Sequence, residues 1–206
     1  MAQVLKEQIR FKILDASARA FVEAGYQGAT VSDIARLAGV AVGNIYRYFG
    51  GKEELFKAVV TAEFAEKLLM LLRKNIKTLS HAGNDADLDD AALDAQEQLL
   101  AFWITHRRQV IIILDRCKGT EFEGFADQFV EIMVTLAVTH ARDLGNRADF
   151  DPDMQFVLQT VFRNTVKVIV SILEHHEREE DIRNAFRLFR RYQLDGLNGL
   201  LGGERS

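Results

Sequence analysis

The side chains best suited to contact another molecule are concentrated between residues 30 and 52. This stretch carries a hydroxyl at Thr30, an amide at Asn44, a phenol at Tyr46, a guanidinium at Arg47 and an ammonium at Lys52. Hydroxyl, guanidinium and ammonium groups hydrogen-bond phosphate oxygens, and amide and guanidinium groups also pair with base edges. The chemistry that these residue types favour is therefore the binding of a nucleic acid.

Two short helices are expected to position these groups. Thr30 followed by Asp33 resembles a capping box, with a hydroxyl at the helix start and an acid in the first turn, and predicts a helix over 31–39. Gly39 supplies a residue that turns the chain with a positive φ. A second helix is expected over 41–49. Its inner face would hold Ala41, Ile45, Tyr48 and Phe49.

Two helices joined by a glycine turn resemble the DNA-binding helix-turn-helix, whose second helix lies in the major groove. Tyr46 lies on the flank of that helix, where its hydroxyl can reach a phosphate. Thr30 and Lys52 each stand at the start of a helix, where free backbone N–H groups attract an anion. The residues expected to face base edges or the groove wall are Val42, Gly43, Asn44 and Arg47.

A more specific resemblance follows Gly39. The order Gly43, Ile45-Tyr46, Tyr48-Phe49, Lys52-Glu53 and Leu55-Phe56 is similar to the signature of the TetR (tetracycline-repressor) family of bacterial transcription regulators. The resemblance implies that Thr30, Tyr46 and Lys52 contact the DNA backbone. One departure is Ala41, where the family more often places a Ser or Thr that caps the recognition helix. Loss of that cap costs ~1 kcal/mol of local helix stability.

Composition and charge limit the class of protein. Of 206 residues 48% are hydrophobic, with one Pro and 14 Gly, which favours buried cores and long helices. The net charge is −4, which excludes a polycation that coats nucleic acid. Residues 1–60 hold 8 Lys and Arg against 6 Asp and Glu, whereas the remainder holds 18 against 24. This polarity favours a nucleic-acid-facing head on an acidic body.

The expected location is cytoplasmic, without a membrane partner. The N-terminal segment MAQVLKEQIRFKIL is charged throughout, and no apolar run is expected to approach the ~18 residues of a membrane span. The one cysteine, Cys117, cannot form an internal disulfide, which fits a reducing compartment. Its neighbours Arg116 and Lys118 would favour a lowered thiol pKa.

Apolar periodicity predicts helices along the whole chain. A helix over 4–24 would end at Gly25, and a connecting helix within 51–77 would begin at Lys52. Beyond a polar loop at 79–88, helices are expected at 89–106, 107–117, 122–144, 152–176 and 180–201, with stops at Gly119 and Gly145. The predicted fold is all-α with about nine helices. It comprises an N-terminal three-helix helix-turn-helix DNA-binding domain at 1–50 and a C-terminal helical ligand-binding and dimerisation domain at 51–206.

The last two helices carry broad apolar faces that suit a four-helix bundle across a two-fold axis, as in the family that the chain resembles. The expected interface residues are Val161, Thr165, Val168, Ile172, Phe186, Phe189, Gly196, Leu197 and Leu200. The resemblance also implies a cavity for an unknown, partly apolar effector among the middle helices. Its candidate lining is Phe102, Trp103, His106, Cys117, Phe122, Phe125, Phe129, Met133 and Phe162.

No catalytic, metal or cofactor site is expected. The sequence lacks a Gly-rich phosphate loop after a strand, a nucleophilic Ser elbow and the paired His and Glu of a di-iron bundle. The preferred hypothesis is a ligand-responsive repressor, not an enzyme, that binds a palindromic double-stranded operator as a homodimer. The alternatives are an all-α small-molecule-binding or enzymatic bundle with a coincidental motif, and a family member that acts as an activator or without ligand.

Overall fold

A computed structural model describes residues 2–79, 90–143 and 151–201. These ranges form ten α-helices and no strand, and the prediction of an all-α fold is confirmed. The helices are α1 (Ala2–Gly28), α2 (Val31–Ala38), α3 (Val42–Tyr48), α4 (Lys52–Val59), α5 (Ala62–Leu79), α6 (Asp90–Thr105), α7 (Arg107–Ile111), α8 (Phe125–Asp143), α9 (Pro152–His175) and α10 (Glu179–Leu201). A π-helical turn, Ile112–Arg116, continues α7. The stop expected at Gly145 and the loop expected at 79–88, apart from residue 79, lie outside the described residues.

The chain divides into two compact units. The first unit comprises Met1–Lys67 and His106–Phe125, and the second comprises Leu68–Thr105 and Ala126–Ser206. The first unit therefore combines residues 1–67, which include the helix-turn-helix region, with a segment that follows after the 38 residues 68–105. The division of function between residues 50 and 51 remains a prediction.

Helix α1 organises the first unit. It contacts α2, α4, α7 and the π-helical turn. Its buried Phe21 meets Phe56 of α4 edge to face, with ring centroids 5.5 Å apart, and such pairs contribute about 0.5–1.5 kcal/mol beyond area burial. An ion pair of 2.6 Å between Arg108 and Asp15 links α7 to α1. These contacts hold α2 and α4 against one common support.

Gly25 ends the regular part of α1, as expected. Its φ of 67° lies in the left-handed region, which favours glycine. A Cβ at this position would also lie 3.7 Å from the carbonyl oxygen of Arg116 in the π-helical turn. The bend therefore lets the chain turn towards α2 beside the backbone of a neighbouring element.

The single connecting helix expected over 52–77 is wrong, because the chain forms α4 and α5 instead. Val60 has an extended backbone, with φ −118° and ψ 95°, and ends α4. The Thr61 hydroxyl then accepts a hydrogen bond from the backbone N–H of Phe64 at 3.1 Å. Thr61 is thus an N-cap for α5, a local signal that the continuous apolar period concealed.

Helices α6 and α10 are joined within the second unit by polar and aromatic contacts. Arg183 makes a bidentate ion pair with Glu97, with N–O distances of 2.7 and 2.8 Å. The rings of Trp103 and Phe186 lie 5.0 Å apart. Arg190 also donates to Gln96. Because these contacts occur along one side of α10, they determine which of its faces turns inward.

Helix α9 is long and apolar enough to cross a membrane by length and composition, with a mean hydropathy of 1.4. The expectation that no apolar run approaches that length is therefore wrong for the described residues. Seven side chains of α9 are buried inside the second unit, as is typical of a core helix: Leu158, Phe162, Thr165, Val166, Ile169, Val170 and Leu173. Composition alone is weak evidence for a span.

Candidate nucleic-acid interface

Both ends of α2, including its turn to α3, have the predicted geometry. The hydroxyl of Thr30 accepts a hydrogen bond from the backbone N–H of Asp33 at 3.1 Å, which confirms the N-cap. Gly39 has φ 65° and ψ 35° and ends α2. The backbone N–H of Val40 donates to the carbonyl of Ala35 at 3.0 Å, so the orphan carbonyls of α2 are used within the turn.

Helix α3 buries one side and exposes the other. Ile45 and Phe49 are 0% and 3% exposed, and they anchor the helix in the first unit. Tyr46 is 57% exposed, whereas the side chain of Asn44 is half-buried. The remaining α3 residues expected to face DNA are exposed, as Tyr46 is: Val42, Gly43 and Arg47. These groups lie on the single surface that a helix of this kind offers to a groove.

Ala41 corrects one detail of the predicted helix. It was expected on the inner face, but it is exposed and precedes α3 in extended conformation. It makes no side-chain capping hydrogen bond, as its methyl group requires. The seven-residue α3 therefore starts with uncapped N–H groups, and packing of Ile45 and Phe49 supplies much of its stability.

Lys52 has a structural task that the sequence did not reveal. Its ammonium donates hydrogen bonds to the carbonyl oxygens of Tyr26 at 2.8 Å, Ala29 at 3.0 Å and Gln27 at 3.3 Å. It also lies 4.6 Å from the centroid of the Tyr26 ring. All three ammonium hydrogens therefore have protein acceptors, which disfavours the expected phosphate contact at this side chain.

At the start of α4, a backbone N–H group also binds a carboxylate of the protein itself. The carboxylate of Glu54 accepts a hydrogen bond from the backbone N–H of Gly50 at 2.6 Å. An acid at the third helical position that reaches back in this way is typical of a helix start. The sequence signal for this contact is a glycine followed four residues later by a glutamate.

Thr30 forms more than a simple cap. Besides accepting from Asp33, its hydroxyl donates to the Asp33 carboxylate at 2.6 Å. This hydrogen bond, followed by that from Arg36, lowers the pKa of the Asp33 carboxyl below its ordinary value. A carboxylate that stays charged thus lies beside the proposed phosphate contact, and it complements the helix dipole.

The candidate effector residues are divided between the two units. The first unit contains His106, Cys117, Phe122 and Phe125, and the second contains Phe102, Trp103, Phe129, Met133 and Phe162. His106 lies 5.6 Å from the ring of Phe64, and burial lowers the pKa of its imidazole. A single cavity lined by all nine residues remains a prediction.

The thiol of Cys117 is buried, and the prediction of a lowered pKa is wrong. Its sulfur lies 3.2 Å from the carbonyl oxygen of Ile113 and 3.1 Å from that of Phe122, so its hydrogen has acceptors within reach. Burial raises the pKa of this thiol to about 11, since the thiolate would lose its hydration. The basic neighbours Arg116 and Lys118 do not outweigh this effect.

Two residues of the predicted dimer interface face inward instead. Thr165 is 5% exposed and accepts a hydrogen bond from the Gln193 amide at 2.8 Å. Phe186 is 8% exposed beside Trp103. Gly196 is exposed, and the other predicted residues are half-buried: Val161, Val168, Ile172, Phe189, Leu197 and Leu200. The predicted interface set leaves out four exposed apolar side chains on α9 and α10: Phe156, Val157, Leu188 and Tyr192.

The fold and the exposed side of α3 define a protein of the helix-turn-helix class. Residues 13–59 match the model of the bacterial regulatory proteins of the tetR family. Residues 13–59 therefore carry a TetR-family N-terminal domain, and the resemblance found in the sequence is confirmed for this part of the chain.

Individual relatives agree with this assignment. The chain is 43% identical over 56 residues to the HTH-type transcriptional regulator SrpR of Pseudomonas putida, which is 27% of this chain and 26% of that protein. It is 36% identical over 104 residues to the uncharacterized HTH-type transcriptional regulator YvdT of Bacillus subtilis, which is 50% of this chain and 48% of that protein. The chain thus spans about half, or less, of these curated relatives.

Solved structures extend the likeness to the fold of the chain. A probable transcriptional regulatory protein, RHA5900, is 21% identical with a TM-score of 0.58, over 96% of this chain and 99% of that one. A TetR-like transcriptional regulator from Rhodococcus sp. RHA1 is 17% identical with a TM-score of 0.52, over 95% and 97%. At these identities the likeness concerns the fold alone.

Lys52→Met should lower the free energy of unfolding by about 1–3 kcal/mol, because three carbonyl oxygens lose a charged donor. Chemical denaturation followed by circular dichroism measures this change. Lys57→Met is the matched control, since the exposed ammonium of Lys57 pairs with the exposed carboxylate of Glu53 on its own helix. An unchanged unfolding free energy for Lys52→Met would contradict the structural task.

Cys117 should react slowly with a disulfide reagent at pH about 8 in the folded protein, because only the thiolate attacks. The rate should rise as the pH approaches about 11, the raised pKa, whereas the unfolded chain should react with its ordinary pKa of 9.0. The folded state holds the proton more tightly, so this group stabilises it below pH 9.0 and the contribution is lost between 9.0 and about 11. Since the chain has one cysteine, the released chromophore reports Cys117 alone. Equal rates before and after unfolding would refute the burial argument.

Proposed function

We propose that this protein is a DNA-binding transcriptional regulator, a ligand-responsive repressor that binds a palindromic operator as a homodimer. The observation that carries the proposal is the exposed face of α3, held outward by the buried anchors Ile45 and Phe49 within a TetR-family domain. In this arrangement an α-helix enters the major groove and its exposed side chains meet base edges and phosphates.

The roles of individual residues follow from chemistry and exposure. The amide of Asn44 suits adenine, which offers one donor and one acceptor in the major groove. Val42 can contact a thymine methyl, and Gly43 has no side chain to hold the backbone away from the groove. Tyr46, with an exposed phenol, is proposed to donate to a phosphate, and Thr30 to contribute through the first turn of α2.

Dimerisation is proposed through α9 and α10. Leu188 and Tyr192 are 71% and 76% exposed, and their spacing of four places them on one side of α10. Gly196 continues that side, and nothing lies within 4 Å of a Cβ built there. A second copy would bury these apolar groups and approach closely at the glycine. Two copies would place two α3 helices in successive major grooves ~34 Å apart.

Response to a small molecule is proposed for the second unit. Trp103 is 8% exposed, and its buried indole N–H has no hydrogen-bond partner among the described residues. Such a donor costs about 1–3 kcal/mol until an acceptor meets it. An effector with an apolar part and an acceptor oxygen would suit this surrounding. The effector would lower DNA affinity only to the extent that it binds the conformation with low DNA affinity more tightly than the conformation that binds DNA.

Selection of duplexes from a random pool by the wild-type protein should enrich an inverted repeat, since each subunit contributes one α3. On the selected duplex, Asn44→Ala should lose about 1–3 kcal/mol of discrimination at one base pair of each half-site. Fluorescence anisotropy with single-base variants of the duplex measures this loss.

Asn164→Ala is the matched control for this prediction, because Asn164 is an exposed asparagine on α9. Selection that enriches no duplex would reject the function. Uniform weakening across all base variants would reject the base-reading role of Asn44.

The double change of Leu188→Glu and Tyr192→Glu should convert a two-chain species into single chains, because a dimer would have to bury two unpaired charges per copy. Sedimentation velocity distinguishes the two masses. Leu93→Glu serves as control, since Leu93 is a leucine on α6 that is also exposed, at 49%. A wild-type protein that sediments as one chain would overturn the proposed dimer.

A further inference from the structure

An open cleft of about 340 Å³ lies beside α3, between its last turn and the first turns of α1. Its lining residues are Gln3, Lys6, Glu7, Arg10, Arg47 and Tyr48. Three of these six side chains are cationic and one is anionic. Both walls belong to the first unit, which also presents the exposed face of α3.

Two of the cations are held in place by aromatic rings. The guanidinium of Arg10 lies 5.5 Å from the ring centroid of Phe49, and that of Arg47 lies 5.6 Å from the ring centroid of Tyr48. Stacking on a ring holds the planar group while its edge N–H groups stay available to an acceptor. Within the part of the chain that the structure describes, neither guanidinium has a carboxylate partner.

We infer that this cleft binds a phosphodiester of the DNA backbone through Lys6, Arg10 and Arg47. Two guanidinium edges and an ammonium suit the oxygens of a phosphate, and exposed cations without partners release counterions when they meet one. The inference rests on the proposed function and deepens it. It extends the contact with DNA from α3 to the N-terminal turns of α1, and it makes Arg47 a backbone contact instead of a base contact.

Glu7 provides a test of opposite sign. Its carboxylate lines the same cleft, where it repels a phosphate. Removing this charge should strengthen binding, whereas removing a cation should weaken it. A residue that merely stabilised the fold would not produce this pair of opposite effects.

The experiment uses the full chain and a duplex selected by the wild-type protein, with Kd measured by anisotropy over a series of salt concentrations. Arg10→Met and Arg47→Met keep an apolar stem over the rings of Phe49 and Tyr48 but remove the charge. Each should weaken binding about tenfold, equally on every single-base variant of the duplex, and should reduce the salt slope by about 1. Glu7→Gln should bind more tightly than the wild type.

A duplex with one neutral methylphosphonate at the contacted position locates the phosphate. This substitution should weaken binding of the duplex by the wild-type protein and leave binding by the Arg47→Met variant unchanged. Competition by free inorganic phosphate alone would instead indicate that the cleft binds a small anion and not DNA. Unchanged affinity and slope for both arginine variants, with wild-type binding intact, would overturn this inference only. Loss of preference at one base pair by Arg47→Met would return Arg47 to base recognition. A wild-type protein that binds no duplex would remove the proposed function itself.

Discussion

The geometry of the first unit depends on the ammonium of Lys52. It gathers three carbonyl oxygens from the end of α1 and the connection to α2, while its own backbone begins α4. Carbonyls at the end of a helix need donors, and a cation there also meets the negative end of the helix dipole. One side chain therefore ties the start of α4 to the end of α1 and to the connection that leads into α2. The position of α3 follows, because α2 and α4 bracket it in the chain.

The local parts of this arrangement were predictable from the sequence. The cap at Thr30 and the turns at Gly25 and Gly39 each depend on residue types within a few positions, and the structure confirms them. The contacts of Lys52 join residues 23–26 positions apart, and no pattern in a single sequence reveals them. The sequence therefore predicts a phosphate contact at Lys52 and gives no sign of the three carbonyl oxygens that engage its ammonium.

The apolar period of a helix gave wrong predictions where two different structures produce the same period. The apolar spacing continues through Val60 and Thr61, so only the hydroxyl of Thr61 indicated a second helix start. Thr165 similarly shares the stripe of residues that was assigned to a partner, but its hydroxyl meets Gln193 inside the protomer. The stripe shows that a helix has apolar sides and does not show which neighbour covers them.

Positive charge in the first unit is also more concentrated in one place than the small excess of Lys and Arg over Asp and Glu suggests. The cations of the α1–α3 cleft lie on helices that are distant in sequence, and aromatic rings hold two of them. Several acids elsewhere in the unit are engaged in caps and local pairs, as with Asp33 and Glu54. The electrostatic potential that a duplex meets therefore depends on this placement more than on the total.

Ala41, which precedes α3, has a consequence for how the affinity of such a protein can evolve. Without a side-chain cap, the first turn of the seven-residue α3 is less stable by about 1 kcal/mol, so a bound target would complete the order that the packing of Ile45 and Phe49 begins. Some of the binding free energy is then spent on local order, which shortens the dwell time on weakly matched sequences. A hydroxyl at this single position would tighten the hold on every site without altering a contact, so affinity and selectivity can evolve separately.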